Sequence, residues 1–142
     1  MSLKDGSVSL GQIIAHEPKA MNSVGCILYD ARFSDPTKVD VANPPTNCPF
    51  AVLLTTHDLL DSGHWRVVAN APLGLSHDLI PYEKFRTSGF IGAKIYGSAI
   101  INEFVNAFYG LVAWDDWADP KYLDGLLLSP GLKPKNLIYK PN

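Results

Sequence analysis

The residues best suited to recognition or chemistry lie in Trp114-Asp115-Asp116-Trp117-Ala118-Asp119-Pro120, where two tryptophans three apart are interleaved with three carboxylates. Exposed, such a block is an acidic surface with aromatic anchors, the side chains that dominate interface energetics. Its charge would draw in a basic partner by long-range attraction. Folded inward, Trp114 and Trp117 would bury their rings under the connection between two helices. Asp119 would then cap the second helix, with Pro120 at its first position. Acid–base work by Asp115 and Asp116 is the poorest reading, because adjacent side chains point apart.

The other chemically suggestive set is His57, Asp58, Asp61 and His64. A metal-dependent hydrolase would need these side chains to converge on one ion. The seven-residue step between the histidines does not match HExxH, whose i,i+4 spacing sets two ligands on one helix face. The residues between them read as a turn, so solvated turn residues are the expectation. The remaining histidines, His16 and His77, lie elsewhere in the sequence. No G-x-S-x-G elbow occurs. In Gly97-Ser98-Ala99 the serine reads as a helix N-cap. Cys26 sits in an apolar stretch, where burial raises a thiol pKa and leaves it inert. Gly89 and Gly92 are not followed by GK[ST] and make no phosphate loop. No catalytic residue, metal ligand or cofactor is therefore assigned.

The elements that must carry these residues fall into two halves. The first is β-like. Gly11–His16 and Ser23–Asp30 read as a strand pair joined by Glu17–Asn22, with Gly25 marking a bulge or a close backbone approach. Residues 34–49 hold Pro36, Pro44, Pro45 and Pro49 and read as a surface loop. Phe50–Thr56 is a continuous apolar run, suited to a strand buried on both faces. His57–Gly63 is a turn, with one helical turn over Asp58-Leu59-Leu60. His64–Asn70 reads as an antiparallel neighbour of the preceding strand. Ala71–Tyr82 is loop-like.

The second half changes period. Gly89–Tyr96 reads as a strand leading into the clearest helix. Its apolar stripe is Ile100, Ile101, Phe104, Val105 and Phe108, with Asn102, Glu103 and Asn106 opposite and Gly110 ending it. A short helix over Lys121–Leu128 follows Asp119-Pro120, and Leu137–Lys140 reads as an edge strand. Strands followed by helices without βαβ alternation indicate α+β. The expected geometry is one domain over residues 1–142: a curved or barrel-like antiparallel sheet with one long and one short helix packed against it.

Composition narrows the partners. The 142 residues suffice for a core without disulfides or metal. Twelve basic against fourteen acidic residues leave a charge of −2, with no long run of one sign. That gives no footprint for nucleic acid or an anionic membrane. Cys26 and Cys48 read as reduced, and the polar start Met1-Ser2-Leu3-Lys4-Asp5-Gly6 lacks a secretory apolar region. Met1-Ser2-Leu3 has the look of an expression scar. No stretch reaches the ~18 apolar residues of a membrane span, and a cytoplasmic location is expected.

The run Phe104–Leu123, preceded by Tyr96-Gly97-Ser98 and by Trp65-Arg66-Val67-Val68-Ala69-Asn70-Ala71-Pro72-Leu73, resembles the bacterial immunity protein 26 family. The resemblance spans about residues 10–129, does not include the proline-rich loop at 34–49, and rests on segment order and the aromatic–acidic block. It implies an immunity-type binding protein that neutralises a cognate bacterial toxin by steric occlusion. Trp114, Asp115, Asp116 and Trp117 would be the contact residues. One branch of the family description is attached to a small phosphotriesterase, so the alternative it implies is a small hydrolase acting on phosphotriesters.

Overall fold

The computed structural model describes residues 1–40, 42–43 and 48–142. Of the proline-rich loop, Pro44, Pro45 and Asn47 lie outside the described residues. Its described part includes a 3-10 turn over Pro36–Lys38, with Asp35 Oδ1 accepting from the Thr37 amide at 2.9 Å.

The first two apolar stretches form a long hairpin. Strands β1 (Val8–Glu17) and β2 (Ser23–Phe33) pair antiparallel from Val8↔Phe33 to Glu17↔Ser23. Gly25 satisfies both readings of a glycine in a strand. The register shifts between Ile13 and Ala15, leaving Ile14 as the extra residue beside the Ala15↔Gly25 pair. A Cβ at position 25 would also stand 2.0 Å from Tyr82 Oη, so the tyrosine occupies space that only glycine leaves.

Strand β2 is central, and its alternation sorts the core into two clusters. Cys26 and Leu28 point to one face, and Ile27, Tyr29 and Ala31 to the other. Strand β3 (Pro49–Thr55) repeats the division, with Ala51 and Leu53 on the first face and Val52 and Leu54 on the second. An uninterrupted apolar run is what a strand covered on both sides requires. Strand β4 (Ile95–Tyr96) pairs parallel to β3, giving the order β1-β2-β3-β4.

The class is thus mixed α+β, with an open sheet edged by β1 and β4. Barrel closure is not seen, and the β3–β4 pair departs from the antiparallel expectation. The expected strand over His64–Asn70 is irregular chain. Its β-branched residues find no ladder, because β3 has β2 on one side and β4 on the other. Trp65 alone is buried, while Val67 and Val68 stay exposed. Gly89–Tyr96 contributes only the two residues of β4, and Leu137–Lys140 only a single bridge, Ala113↔Ile138.

Helix α1 (Asp58–Asp61) is the single turn expected after β3. Helix α2 (Ser98–Phe108) is the long helix and covers the first face of the sheet. Ile101, Phe104, Val105 and Phe108 are buried; Phe50 stacks on Phe108 at 3.7 Å between ring centres and meets Phe104 edge-on at 5.7 Å. Each such side chain contributes about 2–3 kcal/mol by leaving water.

Three details of α2 differ from the simple amphipathic picture. Gly97, not Ser98, is the N-cap, and the Ser98 amide donates to Thr56 Oγ1 at 2.9 Å. Asn106, expected on the solvent side, is buried: its Nδ2 donates to Asn102 O and its Oδ1 accepts from the Lys4 amide at 2.9 Å. That bond helps draw in the N-terminal segment, whose Leu3 belongs to the core, so Met1-Ser2-Leu3 is structurally integrated. Ile100 is only partly buried. At the other end, Gly110 has φ +69°, with Leu111 N donating to Asn106 O and Gly110 N to Ala107 O. These are the two bonds of a Schellman ending.

The second face of the sheet is covered without α-helix, by the crossover between β3 and β4, which carries 3-10 helices over His77–Leu79 and Glu83–Ser88. Leu73, Leu75, Ile80, Tyr82, Phe85 and Phe90 pack there. The crossover is fastened to the β1–β2 hairpin at three points. Gln12 Nε2 donates to Ala71 O and Pro72 O at 3.0 Å, and Gln12 Oε1 accepts from Tyr29 Oη at 2.6 Å. Tyr82 nests over Gly25. Arg86 forks onto the largely buried Glu17 carboxylate at 2.9 and 2.6 Å. Among the described residues no helix is long and apolar enough to cross a membrane.

Candidate functional site

The aromatic–acidic block begins where the Schellman ending of α2 turns the chain back. Trp114 lies in the core: it is 1% exposed, and its ring packs on Phe104 at 5.9 Å between centres. Its Nε1 donates to Asp124 Oδ1 at 2.7 Å, which meets the requirement for a partner on a buried indole. Lys133 Nζ lies 5.6 Å from the ring centre and 2.8 Å from Asp124 Oδ1. The Lys133 ammonium, and secondarily the Trp114 indole, hold the Asp124 carboxyl below its usual range against the opposing pull of burial. Trp114 therefore serves the fold and presents almost no surface to a partner.

Asp115 and Asp116 both hold one residue of the C-terminal tail, Lys140. Asp115 Oδ1 accepts from the Lys140 amide at 2.7 Å, and Asp116 pairs with Lys140 Nζ. The tail is brought there by the Trp114 amide, which donates to Ile138 O at 2.8 Å. The Asp116 side chain remains 60% exposed. Trp117 is half-buried and lies against Tyr122 at 4.9 Å between ring centres, tilted by 30°. Asp119 is not the cap expected of it: Lys121 is the N-cap of the 3-10 helix over Tyr122–Leu126, without a side-chain cap bond, and Asp119 Oδ1 accepts from the Lys121 amide at 2.9 Å in the turn before it. The block thus divides: Trp114 inward, Asp115 in the tail clasp, and Asp116 and Trp117 reaching the surface.

The His57, Asp58, Asp61 and His64 set is not gathered on one point. Asp58 Oδ1 accepts from Thr56 Oγ1 at 2.5 Å and Ser98 Oγ at 2.7 Å, and these hydroxyls hold its carboxyl below the usual range. His57 Nδ1 lies 2.6 Å from Asp61 Oδ2, whereas His64 Nδ1 pairs with Ser62 Oγ at 2.8 Å. The structure adds His16, which the sequence reading left without a role. Its ring centre is 6.2 Å from that of His57, with the planes at 89°. Register explains the meeting: His16 pairs with Val24 and Val24 with Thr55, so the end of β1 and the residues after β3 share one end of the sheet. The cleft there, about 170 Å³, is lined by Met21, Asn22, Thr56, His57, Asp58 and Asp61.

Cys26 and Cys48 are not joined by a disulfide. Burial pushes the Cys26 thiol up to about 12, the inert state expected of it. Compared with protein-family models, curated proteins and solved structures, the chain matches none.

Proposed function

We propose that this chain is an immunity-type binding protein that neutralises a cognate bacterial toxin by covering its active site. The resemblance of the Phe104–Leu123 run to immunity proteins motivates the toxin. The observation that carries the binding reading is the order imposed on the acidic–aromatic surface: Lys140 ties down Asp115 and Asp116, and Tyr122 supports Trp117. Side chains already fixed lose little entropy on association, and a supported tryptophan beside a carboxylate has the chemistry of an interface anchor. Asp116, Trp117 and Asp119 form the contact surface in this reading, with Trp114 and Asp115 shaping it from behind.

Where the reading frame immediately upstream encodes a secreted protein with a C-terminal toxin domain, coexpression with that domain is the direct test. Restored growth is expected, with Asp116→Ala plus Trp117→Ala weakening toxin binding by roughly 10- to 100-fold and flattening its salt dependence. Unrestored growth, or affinity and salt slope unchanged in the double variant, overturns the reading. The hydrolase alternative draws on the His57–Asp61 pair. Turnover of a chromogenic phosphotriester, lost in His57→Ala, would favour it instead.

A further inference from the structure

We propose that Met21 is a reversible oxidation site, the position at which peroxides alter this chain's surface without disturbing its fold. Met21 stands in the loop between β1 and β2. There Ala20 O accepts from the Ser23 amide at 3.0 Å, and the two residues between them, Met21 and Asn22, are both left-handed, with φ 55° and 56°. Asparagine tolerates that conformation through its short polar side chain, whereas methionine gains nothing local from it. The Met21 side chain gains nothing from packing either: it is 86% exposed and belongs to neither core cluster. What it retains is the chemistry of a soft, polarizable sulfur open to solvent. It stands on the rim of the cleft that also carries Thr56, His57, Asp58 and Asp61.

The reaction is an oxygen transfer. A lone pair of the Met21 sulfur attacks one oxygen of hydrogen peroxide and the O–O bond breaks. The hydroxide released takes the proton from the transferred oxygen and leaves as water. Sulfur loses two electrons, the peroxide gains them, and the product is the sulfoxide, which methionine sulfoxide reductases return to the thioether. Met1, the other methionine of the sequence, is set apart by its surroundings. It is partly buried against the first core cluster, its ε-methyl 3.2 Å from where a Cβ on Gly11 would stand. Peroxide reaches it poorly, and a polar S–O bond there would enter apolar packing. At Met21 no packing is lost, so the change falls on the surface alone. An apolar stretch of the cleft rim becomes a polar one that accepts hydrogen bonds.

Treatment of the full chain with hydrogen peroxide, followed by peptide mapping with mass detection, tests this, with N-acetylmethionine amide as the freely exposed reference. Met21 should take up one oxygen at a rate within about fivefold of the reference, and Met1 more slowly than that. In urea the two methionines should react alike. The chain oxidised at Met21 alone should melt within about 3 °C of the parent, and reductases for the two sulfoxide epimers should together restore the thioether. Met21→Leu should melt as the parent does and lose the fast oxygen uptake. A slower reaction at Met21, a reaction at Met1 as fast as at Met21 in the folded chain, or a larger fall in melting temperature on Met21 oxidation would overturn the proposal. None of these readouts depends on the toxin partner or on ester turnover.

Discussion

Replacing Gly25 by alanine should destabilise the protein through one contact. The new Cβ would lie 2.0 Å from Tyr82 Oη and 3.1 Å from Tyr82 Cζ, and the tyrosine is itself buried beside Ile80 and Phe90. A rigid ring cannot step aside as a flexible chain end would, so the cost is that of overpacking, about 2–3 kcal/mol. For a chain of this length that is a melting temperature lower by roughly 6–12 °C. Tyr82→Phe alone should be close to neutral, because the hydroxyl it removes is buried without a partner. Combining the two leaves only the 3.1 Å contact, which a shift of a few tenths of an ångström relieves. The alanine should then cost less than about 1 kcal/mol, a coupling of about 1–2 kcal/mol. Thermal and urea unfolding of the four proteins measure this cycle. An alanine penalty below about 0.5 kcal/mol, or one equally large with Phe at position 82, would refute the argument.

Trp114→Phe should lower stability by about 2–4 kcal/mol in urea unfolding, since it leaves a void beside Phe104 and removes the donor to Asp124. Lys140→Met should change it by less than about 1 kcal/mol, because the pair with Asp116 is exposed. At alkaline pH, burial raises Tyr29 to about 12 and also raises Tyr82 and Tyr109. Their neutral forms are favoured by folding, so that stability is complete below the unfolded value of 10.0 and is lost as pH rises beyond it. Absorbance titration should show these three of the six tyrosines ionising together with unfolding. At acid pH the sign reverses for Asp124: its lowered folded value gives stability present above 3.8 and lost as pH falls through that folded value. Melting temperatures between pH 5 and 2 should accordingly fall less in Asp124→Asn than in the parent.

Much of the fold was legible wherever a local rule and a tertiary need agreed. The run Phe50–Thr56 is apolar on both faces because it lies between two clusters. Gly110 stands at the left-handed ending of α2. Gly25 announced both its bulge and its close contact. The failures come where a partner decides. His64–Asn70 has strand composition but no free strand edge beside β3. Ser98 has cap chemistry, yet its hydroxyl goes to Asp58 and its amide to Thr56. Asn106 reads as solvent-facing because nothing nearby in sequence reveals that Lys4 will meet it. The site shows the same limit. The Trp114–Trp117 spacing marked a dense cluster, but which ring turned inward depended on Asp124 and the distant tail. The pairing of His16 with His57 runs through two strand registers and left no local signal.

The three fastenings of the crossover carry a consequence for how this molecule can change over generations. All of them grip the same hairpin, through Gln12, Gly25 and Glu17, while the covering between them has neither strand nor α-helix, only the short 3-10 helices His77–Leu79 and Glu83–Ser88. Such a covering behaves like cloth held by three pins. Its exposed positions between pins can change without redrawing the sheet beneath, provided Leu73, Leu75 and Ile80 keep the second face covered. Descendants of this chain can acquire new surfaces there while α2 and its aromatic underlay stay nearly constant.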